Sequence, residues 1–263
     1  MEKLHYEENK GKIENKSETI IFIHNNLQNS WIWKKQKEHF QEYHCIYINL
    51  PSYPFSIKKI AILIKNLIKE KAINKKAHLV GIAIGGQIIL EILAKYPEIV
   101  ESSVISGTHI SENGETVINE LKTDIVENKP QKFMVKAYLA EYGIGKEYFN
   151  DIKTCIESID DEYIIAITKE SLKFQLPPLK NKEIAKKLLV LYGTKEYPKI
   201  AKSAKLIENS YLGSSVYGVY RAIHLWNIID YQWFNEVVEE FIAIKNLDFN
   251  EKPYLQITKQ RKN

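Results

Sequence analysis

A short glycine-rich segment contains the first residues whose types and spacing suggest chemistry. Residues 78–86, with the sequence HLVGIAIGG, read as an apolar strand that enters a tight turn and opens a helix. Gly81 and Gly85 lie two positions on either side of Ala83, and small residues there let strand and helix approach each other closely. A side chain at the tip of such a turn is well placed to act as a nucleophile, but alanine offers neither an oxygen nor a proton. The segment has no G-x-G-x-x-G and no Gly-Lys-Ser/Thr pattern, so its residues do not favour a phosphate-binding loop.

The same segment resembles the nucleophile elbow of the α/β-hydrolase family, G-x-S-x-G, with Ala83 at the serine position. Four further segments, which follow one another in the family's chain order, carry the resemblance over roughly residues 4–244: 21–26, 49–56, 191–196 and 222–227. Asn25 replaces a glycine of the oxyanion loop, and Ser52 and Pro54 replace two glycines of the next loop. Asparagine tolerates left-handed backbone better than most residues, so we expect the oxyanion loop to be kept.

The resemblance implies a role for each polar residue of the site. His224 would take and return protons, while Glu196 would orient its ring and stabilise the imidazolium. The backbone N–H groups of Asn26 and Ile84 would hold the oxyanion, and they do not depend on a serine side chain. Glu112, which follows the preceding sheet strand, is a second, weaker candidate for the acid.

Strand and helix patterns alternate along the chain. Continuous apolar runs typical of buried parallel strands occur at residues 19–23, 45–49, 77–80, 104–106 and 188–192. Apolar residues at helical spacing predict helices over residues 57–68, 84–96 and 233–242. This alternation predicts an α/β protein with a mostly parallel, doubly wound sheet, and the resemblance implies the α/β-hydrolase fold. Residues 4–8 and 12–15 are predicted to form a hairpin around Gly11.

The alternation is interrupted once. Amphipathic helical patterns at residues 116–126, 131–142 and 161–174 predict a helical cap over residues 111–180, inserted into a core formed by residues 1–110 and 181–247. Residues 248–263 are polar and predict a frayed tail. The candidate pocket residues are His24, Asn25, Trp31, Phe133, Tyr138 and Tyr142. Ordinary packing is the alternative for the aromatic residues, and a hydrogen-bonded structural histidine is the alternative for His24.

Composition limits the class of protein. The 263 residues are 44% hydrophobic and 27% charged, which is typical of a globular chain. A net charge of +4, spread along the chain, does not indicate nucleic-acid binding, and no apolar run is long enough to predict a membrane span. The first 20 residues are polar and acidic, so they do not predict a secretory signal. Two cysteines, Cys45 and Cys155, predict neither a disulfide framework nor a metal site. We therefore expect a cytoplasmic protein without cofactor or metal, and the oligomeric state stays open.

Three interpretations of the function remain open. The first is a relative of carboxylic-ester hydrolases that acts on a small-molecule ester, with Ala83 as an engineered change or a lost serine and therefore little or no activity as written. The second is a natural non-catalytic member of the family that binds a small apolar ligand or a partner. In the third, His224 and Glu196 activate water directly, since partial triads retain some acceleration over water. The retained His224 and Glu196 support the first interpretation, which we adopt, whereas the glycines replaced by Asn25, Ser52 and Pro54 favour the second. Whether the chain is an enzyme stays open.

Overall fold

An eight-stranded sheet forms the centre of the protein, as described in a computed structural model for residues 4–11, 18–26, 28–51, 55–112, 143–158, 161–244 and 252–257. The strands are β1 (His5–Asn9), β2 (Thr19–Ile23), β3 (His44–Asn49), β4 (Ala77–Ile82), β5 (Val100–Ser106), β6 (Leu188–Gly193), β7 (Ser215–Val219) and β8 (Leu255–Ile257). Their order across the sheet is β1-β3-β2-β4-β5-β6-β7-β8. Strands β2 to β7 pair in parallel, whereas β1 and β8 join the two edges antiparallel. The predicted mostly parallel, doubly wound sheet is confirmed.

Helices cover both faces of the sheet. They are α1 (Lys34–His39), α2 (Ile57–Lys71), α3 (Ile84–Lys95), α4 (Phe149–Ser158), α5 (Asp161–Lys173), α6 (Pro198–Ser210), α7 (Trp226–Ile229) and α8 (Tyr231–Ile244). Short 3₁₀ segments lie at Ser30–Trp33, Ile73–Lys75, Pro97–Ile99, Lys146–Tyr148 and Lys182–Lys187. Within the described ranges, no helix has both the length and the apolar character needed to cross a bilayer.

Two hydrophobic clusters form the core, one on each face of the sheet. Successive residues of a strand point to opposite faces, so Ile21 and Ile23 of β2 pack with α2 and α3. Ile20 and Phe22 of the same strand pack with α8 instead. Because all five β2 residues are fully buried, the continuous apolar run that predicted this strand reflects burial on both faces.

The first half of the predicted N-terminal hairpin forms strand β1, and the hairpin itself stays a prediction. Strand β1 pairs with β3, from His5 opposite Asn49 to Asn9 opposite Cys45. The open edge of the buried strand β3 offers a five-residue ladder of hydrogen-bonding groups, and pairing there satisfies both backbones. Residues 12–15, the second half of the predicted hairpin, lie outside the described residues.

The C-terminal tail was predicted to be frayed, and this is wrong for residues 252–257. Strand β8 pairs with β7, and the sequence analysis predicted neither of these two strands. Tyr254 and Leu255 are buried, and the Tyr254 ring stacks on Trp233 of α8 at a centroid distance of 4.7 Å. The apolar residues of this short segment cover the sheet edge, so their burial outweighs the polar character of the surrounding tail.

The predicted cap is described in part. The helical pattern at residues 161–174 corresponds to α5, and α4 precedes it. The patterns at 116–126 and 131–142 lie outside the described residues, so the cap boundaries stay a prediction. Cys45 and Cys155 are both buried free thiols.

Candidate active site

The turn between β4 and α3 has the strained geometry expected of an elbow. Ala83 has φ 50° and ψ −111° and directly precedes the first helical residue, Ile84. An alanine in this region is strained because its Cβ crowds the backbone, and such residues cluster at functional sites. The conformation is held from the neighbouring strand, since the Ala83 N–H donates to the Ser106 carbonyl oxygen at 2.8 Å.

The glycines around Ala83 are required by close approach. A Cβ atom at Gly85 would lie 2.2 Å from the carbonyl oxygen of Ile23, at the end of β2. A Cβ atom at Gly81 would lie 2.7 Å from the carbonyl carbon of Gly85. Both distances are far shorter than van der Waals contact, so helix α3 can begin this close to the sheet only because these residues lack side chains.

A histidine and a glutamate meet beside this turn. His224, in the loop between β7 and α7, has Nδ1 2.5 Å from Oε1 of Glu196, which follows β6. The Glu196 side chain is 3% exposed, and its other oxygen accepts from the N–H of Gly193 at 2.8 Å. Because the carboxylate accepts from Nδ1, the neutral ring carries its lone pair on Nε2. The pair therefore presents a proton acceptor, Nε2 of His224, on the side of the ring that faces away from Glu196.

Gly107 makes room for this pair and was missed by the sequence analysis. It follows β5 with φ 61°, and a Cβ there would lie 2.8 Å from both Glu196 Oε1 and His224 Nδ1. The sequence could have indicated Gly107, because a glycine directly after a parallel strand lies at the same carboxyl edge of the sheet as the elbow.

The oxyanion loop after β2 brings Asn25 and Asn26 to the same place. The Asn26 N–H donates to Oδ1 of Asn25 at 2.8 Å, and Nδ2 of Asn25 lies 3.3 Å from Nε2 of His224. Asn25 does not have a positive φ, unlike Ala83, so tolerance of left-handed backbone is not the reason for asparagine here. The expectation that asparagine substitutes for glycine through its backbone is therefore wrong.

His24 and Trp31, two of the candidate pocket residues, are not among the described residues that line the cavity over the elbow. His24 is 1% exposed and accepts from the Leu50 N–H at Nε2, so its Nδ1–H donates to the Asn25 carbonyl oxygen at 2.6 Å. Burial lowers the pKa of His24 to about 4, which keeps the ring neutral. Trp31 is buried in the core and packs against Tyr148 at a ring distance of 5.8 Å. Both residues are structural, and their assignment to the pocket surface is corrected.

The other candidates are divided between a second cavity and undescribed residues. Glu112 lines a separate cavity with Gln175 and Tyr211, whereas Glu196 contacts His224. This arrangement favours Glu196 as the acid. Phe133, Tyr138 and Tyr142 lie outside the described residues.

A cavity of about 630 Å³ opens over the elbow. Its lining includes Asn25, Asn26, Ala83, Gly107 and His224. The same cavity is also lined by His109, Lys195 and Lys199, together with Ser171 and Leu172 of α5, which the sequence analysis did not single out. Burial, followed by the charge of Lys199, lowers the pKa of His109. Within the described part of the chain, no three His, Cys, Asp or Glu side chains are grouped to hold a metal ion.

Comparisons with known proteins agree with this architecture. A family model described as the alpha/beta hydrolase fold matches residues 18–141. An AB hydrolase superfamily protein from Gibberella zeae is 33% identical over 104 residues, which span 35% of this chain and 36% of that protein. The matched region is therefore only about a third of the relative's length.

Solved structures extend the likeness over most of the chain. A thermophilic esterase from Thermogutta terrifontis has a TM-score of 0.70 at 14% identity and covers 93% of this chain and 94% of its own. An enol-lactonase from Burkholderia xenovorans LB400 has a TM-score of 0.72 at 15% identity and covers 91% and 96%. Sheet order and these matches define the fold of this chain as the α/β-hydrolase fold.

Proposed function

We propose that this chain is a relative of carboxylic-ester hydrolases whose proton-transfer pair and oxyanion donors are in place without a nucleophile. The observation that carries the proposal is the pairing of His224 with Glu196 in the same cavity as Ala83, with Nε2 directed away from the carboxylate. The esterase and lactonase among the similar structures support this class of substrate, although a likeness at this identity concerns the fold alone.

The chemistry of the site follows from these atoms. With a serine at position 83, the hydroxyl oxygen would attack the ester carbonyl carbon while Nε2 of His224 accepted the hydroxyl proton. The N–H of Ile84 and the N–H of Asn26 would then stabilise the negative oxygen of the tetrahedral intermediate. Ala83 offers no atom to form the acyl-enzyme bond, so the chain as written is inactive or nearly inactive by this route.

A second candidate function is non-catalytic binding of a small molecule in the same cavity. The Asn25 side chain favours it, because this residue hydrogen-bonds both to the Asn26 N–H and toward His224. An amide at this place hinders ester hydrolysis but leaves the part of the cavity lined by Lys195 and Lys199 open to a ligand.

The substitution Ala83→Ser tests the proposal. The variant should hydrolyse a short activated ester such as p-nitrophenyl acetate and should be labelled by a serine-directed fluorophosphonate, with loss of fluoride. The parent chain should not be labelled, and any slow hydrolysis by the parent should depend on His224.

The matched control is Ala83→Ser combined with His224→Ala, which keeps the hydroxyl and removes its base. Losing a triad member costs roughly 10⁴- to 10⁶-fold in turnover elsewhere, so this double variant should be nearly inactive. A folded Ala83→Ser variant without labelling or turnover would favour the binding function. Activity that survives removal of His224 would contradict the assigned base.

A further inference from the structure

We propose that the carboxamide of Asn25 is an internal ligand of the reacting centre and that a substrate or ligand reaches this centre only after displacing it. The centre consists of Nε2 of His224 and the N–H of Asn26, and its catalytic meaning rests on the function proposed above. Asn25 thereby becomes a specificity-determining residue that lies at the place of the substrate's reacting group.

The directions of the hydrogen bonds agree with one orientation of the amide. Glu196 accepts from Nδ1–H of His224, which leaves Nε2 as an acceptor. The Nδ2–H of Asn25 can therefore donate to Nε2 across 3.3 Å, and its Oδ1 accepts from the Asn26 N–H at 2.8 Å. The reverse orientation would place two donors, the amide NH₂ and the Asn26 N–H, against each other. One carboxamide thus occupies both the proton acceptor and an oxyanion donor.

The backbone of Asn25 is fixed, so its side chain is the part that can leave. The Asn25 N–H donates to Oε1 of Gln28 at 3.3 Å, and its carbonyl oxygen accepts from buried His24 at 2.6 Å. Gln28 is itself buried. Since the φ of Asn25 is not positive, alanine can take up this backbone conformation, so Asn25→Ala removes the amide without adding backbone freedom.

The displaced amide defines the ligand chemistry that fits the centre. An occupant that replaces this amide must accept from the Asn26 N–H and donate to Nε2 of His224. A neutral primary carboxamide does both, whereas a carboxylate has two acceptors and no donor for Nε2. In an ester substrate, the carbonyl oxygen would take the first place and the attacking hydroxyl of the nucleophile would take the second.

The direct test uses Asn25→Gly in the chain as it stands, with acetamide as the probe. In the variant, acetamide should produce saturable NMR shifts of the Asn26 amide and of Nε2 of His224. The parent should show neither, because its own amide holds the place at high effective concentration. Acetate at equal ionic strength should give weaker shifts than acetamide.

A matched control separates this effect from a general effect of Asn→Gly. Asn74 is exposed, has φ 56° and lies at a different cavity, so Asn74→Gly should leave the parent response to acetamide unchanged. Asn25→Ala removes the same amide and serves if Asn25→Gly does not fold. Equal acetamide response in parent and in either folded Asn25 variant would overturn the proposal.

A second measurement concerns reactivity. When Asn25→Gly is added to Ala83→Ser, the rate of fluorophosphonate labelling should rise on the order of 10- to 100-fold, because two hydrogen bonds no longer need to break. An unchanged rate in a reactive Ala83→Ser background would contradict the proposal. The NMR experiment needs no nucleophile, so failure of the proposed hydrolase function and failure of this inference give different results.

Discussion

A side chain at position 85 has no room at the junction of sheet and helix, and this makes Gly85→Ala a sensitive perturbation. Its Cβ would lie 2.2 Å from the carbonyl oxygen of Ile23, 2.9 Å from the Ile23 carbonyl carbon and 3.1 Å from the carbonyl oxygen of His24. All three atoms belong to the backbone. Strand β2 cannot retreat in the plane of the sheet, because it is paired with β3 on one side and β4 on the other.

The distances around position 85 determine how much stability Gly85→Ala should lose. To reach ordinary contact at about 3.5 Å, the Cβ atom must move away by more than about 1 Å, and helix α3 has to follow. Overpacking of this kind costs about 1–3 kcal/mol, and we expect a value near the upper end because only backbone can give way. At roughly 2–4 °C per kcal/mol for a chain of this size, Tm should fall by about 6–12 °C.

The assay is thermal unfolding followed by circular dichroism, with Gly145→Ala as the matched control. A Cβ at Gly145 would lie 2.1 Å from a carboxylate oxygen of Glu147, an equally short distance. That carboxylate belongs to an exposed, flexible side chain that can rotate away, and Gly145 has φ −64°, which alanine adopts readily. Gly145→Ala should therefore change Tm by only a few degrees. Equal losses in the two variants would refute the argument from backbone contact at position 85.

Two further predictions concern protonation. Burial holds the pKa of His24 near 4, against about 6.5 in the unfolded chain, so the unfolded state takes up the proton first as pH falls. Protonation of His24 therefore does not lower the free energy of unfolding above pH 6.5, and it should lower this free energy by up to about 3 kcal/mol between pH 6.5 and 4. Urea titrations should show a smaller decrease for His24→Asn, and an equal decrease would contradict the assignment. Burial and then the charge of Lys199 lower the pKa of His109, so Lys199→Gln should raise it in an NMR pH titration. Lys202→Gln, exposed on the same helix, should leave it unchanged, and similar shifts in both variants would argue against a local effect.

The elbow and the sheet were predictable from the sequence because their signals are local. The apolar runs of β2 to β6 and the glycines around Ala83 each report a constraint that acts within a few residues, namely burial on two faces or close backbone approach. The neighbourhood of His224 and Glu196 needed more, since these residues are 28 positions apart. Only their resemblance to a known chain order predicted that they would meet.

The remaining features depend on contacts that no local pattern records. Strand β1 joins the sheet at the open edge of β3, about 40 residues further along the chain, and no local pattern indicates this pairing. The direction of the His24 ring follows from the Leu50 N–H, which lies 26 residues further along the chain. The position of the Asn25 amide likewise requires His224 and Asn26 to be in place first. Long-range partners of this kind determine side-chain orientation, and the sequence does not indicate which distant residues come into contact.

The bend at Ala83 persists although its tip carries only a methyl group. Its shape is therefore a property of how β4 and α3 meet, enforced by the hydrogen bond from the Ala83 N–H to Ser106 and by the two glycines that flank it. Residue 83 can therefore be substituted without a change in the backbone of β4 and α3, provided that the new side chain is small. The backbone geometry of this turn therefore does not depend on a nucleophile, and position 83 can present another small functional group in the same place.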